Sequence, residues 1–251
     1  IREELHNPRV RLACIGPAGE NGVKFAGVFS DRRAAGRGGG GAVMGAKNLK
    51  AVAVRGDNKV DLANPSTFAA AVKEQVNRYK AAPHFEHFSK TGTQTPEFTN
   101  ILGIFPTRNF RGGVLPGIET MDGSVYNRIR ARNTACNNCM IHCGSISKID
   151  SGKYRGSWSE GPEYETIWAF SGPVMCSDIG LTVAADKLCD DLGLDSISTG
   201  NTIGFAYELF EKGIITAEDT GGLDLSYGND EPVTTLIRQI ARCEGFGAVL
   251  A

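Results

Sequence analysis

Three cysteines place the tightest constraint on this chain. Cys136, Cys139 and Cys143 follow the spacing Cys-x-x-Cys-x-x-x-Cys. That spacing brings three thiolates together on one tight turn, and any fold of the chain must carry that turn. The flanking Asn137, Asn138 and Gly144 suit turns and expose backbone N–H groups that can hydrogen-bond to sulfur. Three readings stand: ligation of an iron–sulfur cluster, a zinc site completed by His142 or a distant cysteine, or a disulfide and unlinked thiols. Disulfides are disfavoured, because the residues show no secretory pattern. Three thiolates leave one corner of a four-iron cubane open. Cys14, Cys176, Cys189 and Cys243 are the internal candidates for it. Cys189 and Cys243 fall in helical patterns, where a small buried thiol is the simpler role. His142 reads as a neighbour of the ligands rather than as one.

The rest of the composition is ordinary. The 251 residues are 41% hydrophobic and carry a formal net charge of −1. That suffices for a real core and gives no global electrostatic reason to expect nucleic acid or anionic lipid as a partner. No run approaches the ~18 apolar residues of a membrane span. Glycine is the outlier, with 32 residues.

The pattern along the chain divides it in two. Val10–Ile15 and Leu49–Val54 read as strands, separated by the glycine-rich stretch Ala34 to Gly45. Asn64-Pro65 is an N-cap followed by Pro at the first helical position, and Phe68, Val72, Val76 and Tyr79 continue at helical spacing up to Pro83. Residues 84–130 are irregular, and such a stretch packs around something or carries a site. Helices are expected over Asp178–Leu192, Thr199–Lys212 and Pro232–Cys243, with Gly193, Gly213 and Gly245 as stops. The boundary falls near Asp57–Leu62, dividing a sheet-forming part, 1–60, from a mostly helical part, 61–251. The fold class is α+β.

Three further segments bear on chemistry. Arg33-Ala34-Ala35-Gly36-Arg37, followed by four glycines, joins a permissive backbone to two guanidinium groups. It can cradle phosphate, or serve only as a tight turn. It is neither a Walker motif nor a dinucleotide fingerprint. Glu160-Gly161-Pro162-Glu163-Tyr164-Glu165 sets three carboxylates before the apolar run Ile167–Phe170. It reads as a helix start, or as the source of a general acid or base if a carboxylate enters an apolar pocket. Asp190-Asp191-Leu192-Gly193-Leu194-Asp195 ends a helix with acidic residues that the helix dipole does not favour there. Asp190 and Asp195 are thus either a solvated turn or acceptors for ligand N–H groups.

Together these segments resemble the aldehyde ferredoxin oxidoreductase family of tungsten, sometimes molybdenum, enzymes. The resemblance rests on Ile15–Asn21, Arg33–Asn48, the Cys136/Cys139/Cys143 motif, Glu160–Glu165 and Asp190–Asn201, in the family's order over nearly the whole chain. It implies a bis-pyranopterin cofactor held by Arg33, Ala34, Gly36 and Arg37, with a Mg2+ ion bridging the pterin phosphates. It implies Asp190, Leu194 and Asp195 as one of two pterin-binding Asp-x-x-Gly-Leu motifs. Cys136, Cys139 and Cys143 become three ligands of a [4Fe–4S] cluster. Glu165 becomes an acid/base residue near the metal, while Glu160 and Glu163 share its motif with less defined roles. The implied activity is oxidation of an aldehyde to a carboxylic acid, with electrons passing through the cluster to ferredoxin or a partner subunit. A reductase acting on benzoyl-CoA is the alternative within the family, and a zinc-binding module the alternative outside it. The resemblance also implies a cytoplasmic, anaerobic enzyme, homo- or hetero-oligomeric. It makes this chain part of a larger three-domain enzyme: the end of an N-terminal β domain and most of a helical middle domain. The fourth cluster cysteine, the second Asp-x-x-Gly-Leu motif and a catalytic histidine would then lie in a C-terminal domain with no match here.

Overall fold

The computed structural model describes residues 1–31 and 33–251. The N-terminal part is a four-stranded antiparallel sheet, ordered β3-β2-β1-β4. Its strands are β1 (Arg11–Cys14), β2 (Val28–Ser30), β3 (Arg33–Ala35) and β4 (Ala51–Val54). The two strands expected from the sequence are β1 and β4, and they pair directly, Arg11 with Val54 and Cys14 with Ala51. The glycine-rich stretch between them is more ordered than its composition suggests. It holds β3 and the short helix α2 (Gly40–Ala46), which packs on α1 (Pro17–Glu20). A Cβ added at Gly45 would lie 1.8 Å from the Gly19 carbonyl oxygen, so the two helices approach to a distance only glycine permits.

After residue 62 the chain is largely helical, with one departure. A second antiparallel sheet, β5-β6-β7, is formed by Arg130–Thr134, Gly144–Lys148 and Trp158–Glu160. Sequence reading misses it because these strands are short and polar, with burial that does not alternate cleanly. The helix α3 (Pro65–Lys80) begins as expected, with the Asn64 side chain accepting from Thr67 N at 3.0 Å. None of its residues is buried, however. Its apolar side instead faces Asn138–Ile141 across an open groove. The irregular stretch resolves into short turns of helix: α4 (Phe85–Thr91), α5 (Pro96–Ile101), a 3-10 turn at Ile118–Met121, and α6 (Gly123–Ile129).

The main core lies among α7 (Tyr164–Ala169), α8 (Ile179–Leu192), α9 (Ser196–Glu211) and α10 (Glu231–Arg242). In α10 the residues Val233, Leu236, Ile237 and Ile240 are fully buried, following the i, i+3, i+4, i+7 spacing. Each such side chain contributes about 1.5–3 kcal/mol on burial. Asp178 caps α8, accepting from Gly180 N at 2.7 Å and Leu181 N at 3.3 Å. Gly193 ends α8 at φ +79°, the left-handed geometry of a helix stop. The α9 helix starts at Ser196, three residues earlier than its apolar pattern suggests, because Asp195 caps it.

That same turn fastens the N-terminal sheet to the helices. Gly27 N donates to Gly193 O at 2.9 Å, and Asp195 N donates to Phe25 O at 3.0 Å. Asn21 adds a bond from its side-chain amide to Ala241 O at 2.9 Å. Among the described residues, no helix is long and apolar enough to cross a membrane.

Candidate functional site

The cysteine loop is the connection between β5 and β6. Its two ends, Thr134 and Gly144, are paired across the ladder, which holds the loop closed. Inside it, Asn138 (φ +58°) and His142 (φ +60°) adopt left-handed backbone, and Cys139 N donates to Cys136 O at 3.0 Å. Cys136 is exposed, while Cys139 and Cys143 are half-buried. The Gly92 backbone presses on Cys143 from behind, since a Cβ there would lie 2.2 Å from the Cys143 carbonyl oxygen. Burial pushes the Cys143 thiol up from its usual value, and Glu163, Cys139 and Cys136 push it the same way. Neighbouring anions thus oppose ionisation here, and a bound cation would reverse that balance. Among the described residues no three His, Cys, Asp or Glu side chains are already gathered as a metal site. The donor set, three thiols on one loop, suits a soft metal or cluster. Loading requires that loop to tighten.

Beside the loop lies a cavity of about 450 Å³ lined by Arg11, Arg33, Cys136, Asn137 and Glu160, among others. Arg33 Nη2 pairs with Glu160 Oε1 at 3.1 Å, an exposed guanidinium on a buried carboxylate. Arg11 in turn pairs with Asp31 Oδ2 at 3.5 Å. Both arginines of this cavity are thus balanced by carboxylates that line it too, and an anionic group would enter by taking a guanidinium from its partner. Ala34 sits in β3 opposite Phe29. Gly36 rests against Asp195, where a Cβ would come within 3.2 Å of Oδ1. Arg37 Nη1 reaches Asp195 Oδ2 at 3.2 Å. Asp195 therefore has two duties inside the protein, since Oδ2 also accepts from Ser198 N at 3.0 Å as the cap of α9. The Leu194 side chain is wholly in the core and its N–H is bonded to Cys189 O, so its carbonyl is what it can offer a ligand.

Asp190 stands in the last turn of α8. Burial raises its carboxyl to about 6, with Asp191 and Glu160 adding to the rise and Lys187 opposing it. Burial lifts neighbouring Asp186 well above the usual carboxylate range, and Asp190 adds to that. A carboxyl raised on folding favours the folded state while protonated, and that contribution is lost as pH rises from about 4 through about 6. Asp190→Asn in the cofactor-free protein should therefore stabilise by about 2 kcal/mol near pH 8 and by almost nothing near pH 4. Urea denaturation at the two pH values measures this, and equal effects at both would contradict it.

Glu160 and Glu165 lie on opposite sides of one turn. Strand β7 ends at Glu160, Gly161 takes φ +137°, and α7 begins at Tyr164. Gly161 is held by its own N–H to Ser145 O at 2.8 Å and by Ser147 Oγ donating to its carbonyl at 2.5 Å. Glu160 faces the arginine cavity. Glu163, Tyr164 and Glu165 line a second cavity of about 440 Å³, with His87, Phe88 and Phe98. Thr93 ties this wall together, donating to Glu163 Oε2 at 2.5 Å and accepting from Tyr164 N at 3.0 Å. Glu165 makes no hydrogen bond or ion pair among the described residues. The expected helix start is thus correct for α7, and the three carboxylates serve two cavities rather than one. Sequence reading misses Arg11, Thr93, Phe88 and Phe98.

Comparison with known proteins follows these features. The family model described as aldehyde ferredoxin oxidoreductase, N-terminal domain, matches residues 1–56. The model for domains 2 and 3 of the same family matches residues 70–251. The tungsten-containing aldehyde ferredoxin oxidoreductase of Pyrococcus furiosus is 42% identical over all of this chain and 42% of its own length. The Thermococcus kodakarensis protein of the same name is 39% identical over the same shares. The WOR-like subunit of an aliphatic sulfonate oxidoreductase from Pyrococcus furiosus is 34% identical over 94% of this chain and 38% of its own. Among solved structures, the active-site complex BamBC of benzoyl-coenzyme A reductase with 1,5-dienoyl-CoA superposes with a TM-score of 0.80 at 27% identity, covering 100% of this chain and 39% of that one. The chain spans about two fifths of the length of the curated relatives it matches.

Proposed function

The chain belongs to the aldehyde ferredoxin oxidoreductase family, and from that footing we propose that it forms part of a tungsten-dependent enzyme oxidising aldehydes to carboxylic acids. The observation that carries this reading is an assembly. Residues far apart in sequence, Arg33, Glu160 and Cys136, meet at one cavity, and Arg37 joins that glycine-rich segment to Asp195. Phosphate groups of a pterin would bind these guanidinium groups in pairs, drawing Arg33 from Glu160 and Arg37 from Asp195.

In this reading Arg33 and Arg37 would hold the phosphates, and a Mg2+ ion would offset their negative charge. Ala34 and Gly36 allow close approach of the backbone. Asp190 and Asp195 accept from ring N–H groups, together with the Leu194 carbonyl. Cys136, Cys139 and Cys143 would ligate a [4Fe–4S] cluster. The tungsten or molybdenum bis-pyranopterin supplies the two-electron redox chemistry when bound. Glu165 would accept a proton of water as aldehyde and water give carboxylic acid, two protons and two electrons. Ferredoxin or a partner subunit would accept the electrons. In this reading residues 1–60 are the C-terminal part of an N-terminal pterin-binding β domain, and 61–251 belong to a mostly helical domain carrying the cluster cysteines and one pterin-binding motif. A cytoplasmic, anaerobic, oligomeric enzyme is the setting proposed.

Metal analysis tests the core of this. The purified holoenzyme should contain tungsten or molybdenum together with iron, sulfide and pterin, and should reduce a viologen dye with an aldehyde. One zinc with neither iron nor tungsten would establish the zinc-module reading in its place. The likeness to the benzoyl-coenzyme A reductase complex keeps one second reading. It requires dye-linked turnover of a benzoyl thioester and none of aldehydes.

A further inference from the structure

The cavity at Glu165 carries more than a proton acceptor. Several of its polar wall groups bond to one another rather than to its interior. Thr93 Oγ1 is taken by Glu163 and by Tyr164 N. Thr99 Oγ1 shares a 2.8 Å bond with the Tyr164 hydroxyl and donates to Pro96 O at 3.1 Å. What faces the cavity is then mainly ring and methyl surface, from Phe88, Phe98 and Tyr164. Phe98 is 65% exposed, a degree that apolar packing within the chain does not explain. The cavity, about 440 Å³, lies in the range that holds small organic ligands, ~300–1,000 Å³. A carboxylate, Glu165, stands at the rim of this apolar space without a partner among the described residues.

We propose that this cavity is the side-chain subsite of the substrate and that it selects aldehydes bearing an aryl group, with Phe88 and Phe98 as the specificity-determining residues. The proposal rests on the aldehyde-oxidising reading and deepens it. An aryl group satisfies flat, ring-lined walls through offset or edge-to-face contact, which a short alkyl group cannot match. A sugar or hydroxy-aldehyde would set its hydroxyls against a wall that is mainly ring and methyl surface. A carbonyl turned toward the rim meets Glu165, the group assigned to move the proton. The Phe88 and Phe98 side chains take no part in that transfer, so they act on substrate choice alone.

The test uses the holoenzyme with benzaldehyde and acetaldehyde. Wild type is expected to favour benzaldehyde in kcat/KM. Phe98→Ala should lower kcat/KM for benzaldehyde about tenfold, mainly through KM, and change that for acetaldehyde less than about twofold. Phe98→Leu, which keeps apolar bulk without the ring, should fall between them. Equal losses on both aldehydes, or none on benzaldehyde, would overturn the subsite while leaving aldehyde oxidation standing. If the wild type oxidises neither aldehyde, the activity reading fails and binding decides the subsite. Saturation transfer from the holoenzyme to benzyl alcohol in ligand-detected NMR is expected for wild type and lost in Phe98→Ala. Equal or absent transfer in both proteins overturns it.

Discussion

Glu165→Gln in the holoenzyme is expected to lower kcat by about a hundredfold or more, the range typical of a lost general base. Tungsten and iron content should stay at wild-type values. The substitution keeps the shape and polarity of the side chain and removes only its capacity to take a proton. Glu165 lies in the first turn of α7, exposed and without hydrogen bonds or ion pairs among the described residues, so folding does not depend on its charge. Glu163→Gln is the natural control. It perturbs the carboxylate that accepts from Thr93, and so tests whether the effect belongs to one carboxylate or to the acidic turn as a whole. Turnover unchanged in Glu165→Gln would remove it from the proton step. A parallel loss of metal would move it to a structural role.

The second large effect concerns the cysteine loop. Cys139→Ser is expected to reduce bound iron more than about tenfold, since even groups that only support a ligand are worth about 10–100-fold in metal affinity. A serine hydroxyl does not ionise under conditions where a thiol beside a cation does. Cys136→Ser and Cys143→Ser should behave alike, because all three stand on one loop and none substitutes for another. His142→Ala should leave iron unchanged. His142 takes left-handed backbone next to Cys143, which places it in the loop's geometry without making it a ligand. Metal loss in His142→Ala with retention in Cys139→Ser would turn the assignment over. Iron and sulfide quantification with the EPR spectrum of the reduced protein reads all four variants.

Much of this arrangement was legible in sequence, for identifiable reasons. The helices α8, α9 and α10 announce themselves by apolar spacing, although only α10 is buried on one side while α8 and α9 are enclosed nearly all round. The α10 helix stops at Cys243, exposed and in left-handed backbone at φ +52°, rather than at Gly245. The pairing of β1 with β4 was foreshadowed by two short apolar runs. The three-stranded sheet was hidden, since Arg130–Thr134 is almost wholly polar and exposed and owes its place to the ladder with β6. The helix α3 was read from a sound apolar stripe, yet that stripe meets an open groove rather than a core. At the site, residue type was visible and partnership was not. Arg37 could be marked as an anion-binding residue, but its bond to Asp195 joins positions 158 apart. Asp195 could be marked as an acceptor, but its role in starting α9 shows only once the helix boundary is known. Leu194 belonged to a motif, and the structure adds that its side chain is core. Phe88 and Phe98 carried no pattern at all, because a cavity wall built from two short helices has no period to detect.

The cavity between the arginines and the cysteine loop has a consequence for how the protein matures. Its walls come from β1 and β3, from the loop at Cys136 and from the end of β7, and the glycine-rich segment is tied to the start of α9. No local stretch of chain contains it. Long loops must close before any of these groups meet, and contacts of such high sequence separation form slowly. The pocket is thus a late product of folding rather than its seed, while the β5–β6 hairpin with its three thiols is local and can form early. The three thiols of the loop and the arginine wall consequently become available at different stages of one folding reaction.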